Sequence, residues 1–329
     1  MRHVETIVVG GGPAGSTCAR RLVRHGRDVV VLDKSRFPRL KLCAGWLTAN
    51  AMRDLEFTPR DYPNPIIELD IRTHLFGLPG LNWFPTPGAN YSIRRVEFDA
   101  WLLTSSGAEV IEHEVKAIRR DGERYVIDDT YSCRHLVGAG GTMCPVRRAL
   151  FPQGWEKSRQ LVTLEKEFEY PARADRCHLY FRRGLAGYAW VVPKGNGFVN
   201  IGLGGKAKYF KSSGHKIQDH FRDFIADLVR WGMLDATTAA SLQETGHPYY
   251  LFTRRGEVKR DNCFLIGDSA GLATVDLGEG IGPAVESALM AAQEILGAGS
   301  YRKDAISVSS LTGWIGRLMR RANRHHVSA

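Results

Sequence analysis

A glycine-rich turn close to the N-terminus constrains the fold of this sequence more than any other feature. Residues 4–9 (VETIVV) have the apolar character of a buried parallel strand. The residues that follow match G-x-G-x-x-G, with glycines at Gly10, Gly12 and Gly15. In this pattern the first glycine makes a tight turn, the second lets a pyrophosphate approach the backbone, and the third packs a helix on the strand. The segment predicts a dinucleotide-binding unit.

The residues after this turn complete the unit. Residues 16–25 are predicted to be helical, with Pro13 near the first turn. A second buried strand, residues 28–33, ends in Asp33, which lies eighteen residues after Gly15, close to the spacing of a ribose-binding carboxylate. The helix N-terminus would stabilise the charge of a phosphate. The candidate ligand-binding residues of this unit are Gly10, Gly12, Pro13, Ala14, Gly15, Asp33 and Lys34.

A second glycine-rich stretch, FLIGDSAGLATVDLGEGIG at residues 264–282, predicts the other half of the same site. It overlaps a short apolar strand, residues 262–266, and leads into a helix predicted at residues 283–296. Glycines before a helix N-terminus let its N–H groups approach a ligand closely, and an aspartate in a turn can bind a sugar hydroxyl. The candidates in this stretch are Gly267, Asp268, Gly278, Gly280, Ile281 and Gly282.

The composition, with 43% hydrophobic and 24% charged residues, is that of a globular protein, and no segment has the length of a membrane span. The six cysteines show neither C-x-x-C spacing nor a cysteine–histidine cluster, so we expect free thiols, no metal site and a cytoplasmic location. The net charge of +10 fits an evenly basic surface or attraction to nucleic acid or anionic lipid. A nucleic-acid or membrane-binding protein leaves both glycine-rich segments unexplained, so we expect no nucleic-acid partner.

The two glycine-rich segments together resemble the FAD-binding segments of the p-hydroxybenzoate hydroxylase superfamily. Within it, three further stretches are similar to the geranylgeranyl reductase family of flavoproteins. Residues 35–52 resemble its Pro-x-x-Lys-x-Cys-Gly-Gly segment, residues 94–102 its Arg-x-x-Phe-Asp segment, and residues 187–204 its Tyr-x-Trp-x-x-Pro-Lys motif. The resemblance implies an FAD cofactor and an apolar small-molecule or lipid substrate, but it identifies no particular substrate.

The resemblance also implies roles for individual residues. Cys43 lies where the family has a cysteine near flavin and substrate; it either serves the reaction, as a proton donor or by shaping the environment of the ring, or packs as a small apolar side chain. Tyr188 and Trp190 are two apart on a predicted strand, so both face the same side and can form a wall over the flavin. The candidate catalytic residues are Cys43, Tyr188 and Trp190, and the further FAD-binding candidates are Cys43, Ala44, Arg95 and Val115.

Two types of reaction remain open. The leading hypothesis is reduction of carbon–carbon double bonds of an isoprenoid or other apolar substrate by hydride transfer from reduced flavin. The alternative is an oxygen-using monooxygenase or halogenase, because YAWVVP at residues 188–193 also resembles a halogenase motif; Lys194, however, fits the reductase pattern. Gly140 stands where the superfamily commonly has an aspartate associated with nicotinamide use. The sequence has no second dinucleotide-binding unit, so we expect a separate electron donor.

These predictions combine into an α/β fold with two interleaved domains and a C-terminal helix. The Rossmann-like FAD-binding domain is predicted at residues 1–65, 93–155 and 257–300, and the antiparallel-sheet substrate domain at residues 66–92 and 156–256. Apolar and alternating runs at residues 66–72, 159–170, 178–181, 188–192 and 198–203 predict the strands of the second domain. Its aromatic residues either line a substrate cavity or fill the core of the sheet; they are Trp83, Phe84, Tyr91, Phe168, Tyr180, Tyr188 and Trp190.

The predicted C-terminal basic helix, within residues 301–329, combines an apolar face with clustered arginines. The apolar residues are Leu311, Ile315, Leu318 and Ala322, and the basic ones are Arg317, Arg320, Arg321 and Arg324. Such a helix either lies on an anionic membrane surface or packs on the protein with its arginines in water. The first interpretation predicts peripheral association with the inner face of the membrane.

Removing the residues after Ser307 separates these two interpretations. If the tail binds anionic lipid, the intact chain should sediment with anionic vesicles more than the shortened chain does. The difference should shrink as salt is added, because salt screens the attraction between arginines and lipid headgroups. Vesicles of neutral lipid serve as the control. Equal sedimentation of the two chains would assign the tail to packing.

Overall fold

The computed structural model describes residues 1–75, 83–85, 89–152, 154–171 and 176–310. The predicted C-terminal helix beyond Ser310 lies outside the described residues, and so do the side chains of Trp83 and Phe84. Within the described ranges, no helix combines the length and apolar character needed to cross a membrane.

Strands and helices are numbered along the chain. The strands are β1 (Arg2–Val9), β2 (Val29–Asp33), β3 (Trp46–Thr48), β4 (Ile67–Glu68), β5 (Asp70–Leu75), β6 (Trp83–Pro85), β7 (Asn90–Ser92), β8 (Glu109–Glu112), β9 (Ile118–Asp121), β10 (Arg124–Ile127), β11 (Tyr131–Gly138), β12 (Gln160–Glu169), β13 (Arg176–Phe181), β14 (Gly187–Pro193), β15 (Phe198–Lys206), β16 (Thr245–Tyr250), β17 (Lys259–Arg260) and β18 (Cys263–Leu265). The helices are α1 (Pro13–Arg24), α2 (Ala49–Asp54), α3 (Arg95–Thr104), α4 (Pro145–Leu150), α5 (Ala207–Ser213), α6 (Ile217–Arg230), α7 (Ala236–Ser241) and α8 (Ile281–Ile295).

The first sheet is the Rossmann-like unit that the N-terminal pattern predicts. Its strand order is β17-β18-β11-β1-β2-β8, and every pair from β18 to β8 is parallel. The hairpin of β9 and β10 extends it beside β11. The carboxyl ends of β1 and β18 therefore lie at the same edge of the sheet, where the helices α1 and α8 begin. This edge is the place where parallel α/β sheets bind ligands.

Helix α1 begins earlier than the predicted residues 16–25. It starts at Pro13 and ends at Arg24, because proline at the first helical position has a suitable φ angle and needs no N–H donor there. Helix α8 likewise begins two residues before the predicted start, at Ile281. Both glycine-rich turns are therefore shorter, and both helix N-termini lie closer to the glycines than the sequence predicts.

The second sheet has the order β16-β12-β15-β14-β13-β5-β6. Its neighbouring strands are antiparallel except for β13 and β5, which run parallel. The predicted strand at residues 66–72 is divided, because β4 pairs with β7 in a small sheet of order β3-β7-β4, whereas β5 pairs with β13. The predicted α/β fold class, with a Rossmann-like unit and a separate, mostly antiparallel sheet, is confirmed. The exact domain boundaries remain predictions.

The two faces of the second sheet have different surroundings. On one face, strand residues such as Tyr180 and Val191 pack with Phe224 of α6 in an apolar core, to which Phe168 also contributes. On the other face, Trp190 packs with Leu277, which belongs to the loop before α8. Phe168 and Tyr180 therefore fill the core under α6. Tyr188 and Trp190 face the Rossmann-like unit, as candidates for a substrate wall must.

Candidate functional site

The first glycine-rich turn is held together by backbone contacts that only glycine permits. Gly10 has φ +110°, and a side chain there would collide with the carbonyl of Ala139 at the end of β11. A side chain on Gly15 would collide with the carbonyl of Gly10. Helix α1 can therefore pack this close to β1 only because both positions lack a Cβ atom.

Gly12 is glycine for a different reason. It has the extended angles φ −72° and ψ −175°, which any residue adopts, and an added Cβ would contact only Arg39, at 3.6 Å from its Nη2. Helix α1 follows immediately, and no side chain caps its N-terminus. The protein thus leaves room over the helix N-terminus where a phosphate group would be stabilised. This cradle fits the pyrophosphate of a dinucleotide.

Arg39 is a site residue that the sequence patterns did not identify. Its guanidinium lies beside Gly12, 3.8 Å from Asp99 Oδ2 and 4.5 Å from the centre of the Phe37 ring. A cation in this position complements the charge of a pyrophosphate. The only sequence signal was its place in FPRLK, within the segment that resembles the flavoprotein family.

Asp33 orders the loops around the site through both of its carboxylate oxygens. The N–H of Gly11 donates to Oδ2 at 2.7 Å, and the N–H of Ser35 donates to Oδ1 at 2.9 Å. Each carboxylate oxygen can accept a second hydrogen bond, so this geometry leaves Asp33 able to bind a ribose hydroxyl. Lys34, the next candidate, is exposed, and Val115 is buried in the core of the first sheet.

The second glycine-rich stretch lies directly against the first. Gly267 has φ +58°, and a Cβ there would lie 3.1 Å from that of Ala14 in α1 and 3.3 Å from that of Ala284 in α8. A Cβ on Gly280 would lie 3.3 Å from Asp268 Oδ1. The structure therefore brings the candidates Ala14, Gly267, Asp268 and Gly280 together at one edge of the sheet.

The N-terminus of α8 is occupied by a carboxylate of the chain itself. The N–H of Gly282 donates to Oε1 of Glu279 at 2.7 Å, and the N–H of Ile281 also contributes to this interaction. Burial raises the pKa of Glu279 from 4.5 to about 7. The sequence analysis assigned these N–H groups to a ligand. Glu279 accepts their hydrogen bonds instead, so a ligand that used these N–H groups would have to share or replace its position.

Gly278 contacts the second sheet. It has φ +67°, and a Cβ there would lie 2.7 Å from the Tyr249 hydroxyl and 3.1 Å from Leu161 Cδ1. Burial raises the pKa of Tyr249, and the nearby carboxylate of Asp268 adds to this effect. Tyr249, which the sequence analysis missed, therefore lies among candidates contributed by both sheets.

Arg95 is committed to an ion pair inside the protein. Its Nε and Nη2 donate to Asp99 at 2.6 and 2.8 Å, and both side chains are buried on α3. The Arg-x-x-Phe-Asp segment thus places the two charges four residues apart on one helical face. The Cys43 thiol lies within hydrogen-bond reach of Arg95. The structure therefore places Arg95 beside the candidate catalytic cysteine, with two of its donors bound to Asp99.

Cys43 differs from the other cysteines in its exposure. It is partly exposed, whereas Cys18, Cys133, Cys144, Cys177 and Cys263 are buried. The N–H of Gly45 donates to its Sγ at 3.2 Å. This thiol is therefore ordered by its own loop and accessible to a reactant, which is the arrangement that a proton donor needs.

Tyr188 and Trp190 are fixed in orientation by hydrogen bonds. The Tyr188 hydroxyl donates to the carbonyl of Leu277, and burial raises its pKa. Trp190 Nε1 donates to Asn200 Oδ1 at 2.6 Å, and the two aromatic rings lie 5.8 Å apart at 56°. The pair forms a rigid apolar surface that is tied to the loop of the second glycine-rich stretch.

Two more titratable residues at the site were not identified from the sequence. Lys41 Nζ lies 2.9 Å from His247 Nε2. Burial lowers the pKa of Lys41, and it lowers that of His247 to about 4. Asp268 and Arg95 are close enough to affect both. Among the described residues, no group of three or more potential metal ligands is suitably arranged.

Comparisons with known proteins agree with this geometry. A family described as an NAD(P)-binding Rossmann-like domain matches residues 8–41. Menaquinone reductase of Mycolicibacterium smegmatis is 29% identical over 321 residues, which cover 88% of this chain and 76% of that protein. Digeranylgeranylglycerophospholipid reductase 3 of Methanosphaera stadtmanae is 26% identical, with 88% of this chain and 77% of that protein covered.

Solved structures share the fold. A geranylgeranyl bacteriochlorophyll reductase-like protein from Thermoplasma acidophilum superimposes with a TM-score of 0.72 at 19% identity, over 100% of this chain and 83% of that one. Other similar structures include a flavin-dependent brominase and a peptidyl tryptophan dihydroxylase, so the fold alone does not select a reaction. The resemblance to geranylgeranyl reductase-like flavoproteins is confirmed, and the chain is a flavin-dependent oxidoreductase.

Substitution of Gly12 by valine tests the phosphate cradle. The backbone angles suit valine, and among the described residues an added Cβ would contact only Arg39, so we expect the melting temperature to change little. The added methyl groups would occupy the space above the N-terminus of α1, so flavin content should fall about tenfold or more. Gly154→Val is the control, because Gly154 is exposed with open space around it. Normal flavin absorbance in Gly12→Val would contradict the assignment.

Substitution of Glu279 by glutamine tests the carboxylate at α8. Because its pKa is raised from 4.5 to about 7, folding favours the protonated form, and wild-type stability should fall as the pH rises through this range. Relative to wild type, Glu279→Gln should gain about 2–3 kcal/mol in unfolding free energy between pH 5 and pH 8. Urea unfolding at both pH values measures this, with the exposed Glu123→Gln as control. A pH-independent difference would contradict the prediction.

Proposed function

We propose that this geranylgeranyl reductase-like flavoprotein binds FAD between its two glycine-rich segments and reduces carbon–carbon double bonds of an isoprenoid or other apolar substrate. The observation that carries the proposal is the hydrogen bond from Tyr188 to the carbonyl of Leu277. It joins Tyr188 and Trp190, the aromatic wall of β14, to the loop preceding α8. An apolar substrate between this wall and the flavin would have one face on aromatic rings. The names of the relatives, a menaquinone reductase and a digeranylgeranylglycerophospholipid reductase, support a substrate of this class.

FAD, rather than a shorter flavin, is supported by the combination of two separate binding halves. Gly12, Arg39 and the N-terminus of α1 suit the pyrophosphate, and Asp33 suits the ribose of the adenosine half. Asp268, next to Gly280, suits the ribitol or the phosphate end of the flavin half. Both halves are needed only if the ligand extends from β2 to the N-terminus of α8.

When bound, reduced flavin supplies a hydride to one carbon of the double bond. The protein must then deliver a proton to the other carbon, orient the substrate and exclude water. Cys43 is the candidate donor, because its thiol is partly exposed and lies beside Arg95. Tyr188 and Trp190 would orient the alkene and displace water from it.

An oxygen-using reaction is the second candidate. It is favoured by the similarity of the fold to a brominase and a dihydroxylase, and by the halogenase-like YAWVVP. The reductase is favoured by the names of the two reductase relatives described above and by Lys194, which completes the reductase form of the motif. A separate electron donor completes either reaction, and association of the basic tail with the inner face of a membrane would bring the enzyme to a lipid substrate.

Anaerobic single turnover distinguishes the two reactions. Protein reduced with dithionite should be reoxidised by an allylic polyprenyl compound, with a more saturated product. Reoxidation by air alone should yield mostly hydrogen peroxide. The Gly12→Val variant, which should lack flavin, controls for reaction with free dithionite. An oxygenated or halogenated product that forms only in air would overturn the reductase in favour of oxygen chemistry.

A further inference from the structure

A buried lysine connects the substrate strand to the loop of Cys43. Lys194 follows directly after β14, is 2% exposed, and donates from Nζ to the carbonyl of Ala44 and, at 2.9 Å, to that of Ile93. Within the described parts of the chain, no carboxylate lies within ion-pair distance of this ammonium. Burial lowers its pKa, and a buried cation is tolerated only where hydrogen bonds compensate its lost hydration. The two carbonyls provide that compensation.

Gly45 allows this contact to form. It has φ +64°, and a side chain there would collide both with Lys194 Nζ and with the carbonyl of Ile93. The N–H of Ile93 in turn donates to the carbonyl of Gly45 at 3.0 Å. The loop from Cys43 to Gly45 is thus bound on one side by backbone and on the other by the ammonium of Lys194. A glycine at this position explains why the loop can approach the lysine so closely.

We propose that Lys194 is a positioning residue that holds the Cys43 thiol at a fixed position relative to Tyr188 and Trp190, the aromatic wall of β14. Tyr188 and Trp190 lie on β14, directly before Lys194. This strand therefore fixes the positions of both rings and, through Lys194, the position of the cysteine loop. This inference rests on the proposed function, in which Cys43 acts on a substrate lying against that wall. It assigns the lysine of the Tyr-x-Trp-x-x-Pro-Lys motif a contact with protein rather than with flavin or substrate.

Alkylation of Cys43 tests the position of the loop without a substrate. Iodoacetamide should modify Cys43 selectively in the flavin-loaded protein, because the other five cysteines are buried. In Lys194→Met the loop loses its tether, so the alkylation rate at high pH, measured by peptide mass spectrometry, should rise about tenfold. Lys194→Arg, which retains charge and donors, should stay closer to wild type. Lys208→Met, at an exposed lysine of α5, is the matched control. An unchanged rate in Lys194→Met would overturn the inference.

A double-mutant cycle separates positioning from a general effect on stability. In anaerobic reoxidation by an allylic polyprenyl compound that carries no quinone, followed as formation of the more saturated product, Lys194→Met should lower the limiting rate about tenfold while the half-saturating concentration stays within about twofold. In a Cys43→Ser background the same change should have little further effect, because the group that it positions is already absent. Lys194→Arg should recover part of the rate. If Lys194→Met proves unstable, Lys194→Gln, which keeps one donor, replaces it in the cycle.

The outcomes distinguish the inference from the function on which it rests. Equal rate losses in both backgrounds would overturn the role of Lys194 while leaving the proposed reductase intact. A Cys43→Ser variant that reoxidises at the wild-type rate would instead remove Cys43 from the proposed function. Wild-type protein that allylic polyprenyl compounds fail to reoxidise would overturn the proposed reductase, whereas the alkylation result would still decide whether Lys194 holds the loop.

Discussion

The contact between α1 and the end of β1 is the constraint on which the rest of the structure depends. The backbone of Gly15 lies against the carbonyl of Gly10, and Gly10 in turn lies against Ala139 of the neighbouring strand end. These approaches set how closely the helix N-terminus can lie to the sheet edge. The same close packing continues into the second glycine-rich stretch, because Gly267 packs against Ala14 of α1 on one side and against Ala284 of α8 on the other. The space for a dinucleotide is what remains between these closely packed backbones.

Carboxylates of the chain itself hold both glycine-rich segments in shape. Asp33 binds the N–H of Gly11, and Glu279 binds the N–H of Gly282. Each therefore satisfies a backbone donor that would otherwise face the site without a partner. Asp33 places negative charge beside the first glycine-rich turn, whereas burial favours the protonated form of Glu279. Two cations of one loop lie near the glycine-rich segments: Arg39 beside Gly12, and Lys41 close enough to Asp268 to be affected by its charge.

The sequence was sufficient to predict the Rossmann-like unit, because Gly10 and Gly15 occupy positions where the backbones of strand and helix approach too closely for any side chain. It also predicted that Tyr188 and Trp190 share a face, since strand alternation is regular. It could not predict the commitment of Arg95 to Asp99, the capping of α8 by Glu279 or the proximity of Lys41 to His247. These contacts depend on tertiary distances between segments, and Lys41 and His247 are 206 residues apart. The starts of α1 and α8 were each misplaced by two or three residues, as terminal turns often are.

Gly202 on β15 affects how Trp190 of the aromatic wall packs, although it lies outside the Tyr-x-Trp-x-x-Pro-Lys motif. A Cβ on Gly202 would lie 2.6 Å from Trp190 Cε2 and 2.7 Å from Glu165 Cβ, so the indole lies flat on a strand position that has no side chain. A side chain on β15 at this position would therefore displace the indole of Trp190 from its place on β14. The shape of the aromatic wall thus depends on a residue outside the motif, and a larger residue at Gly202 would change that shape while Tyr188 and Trp190 both remain.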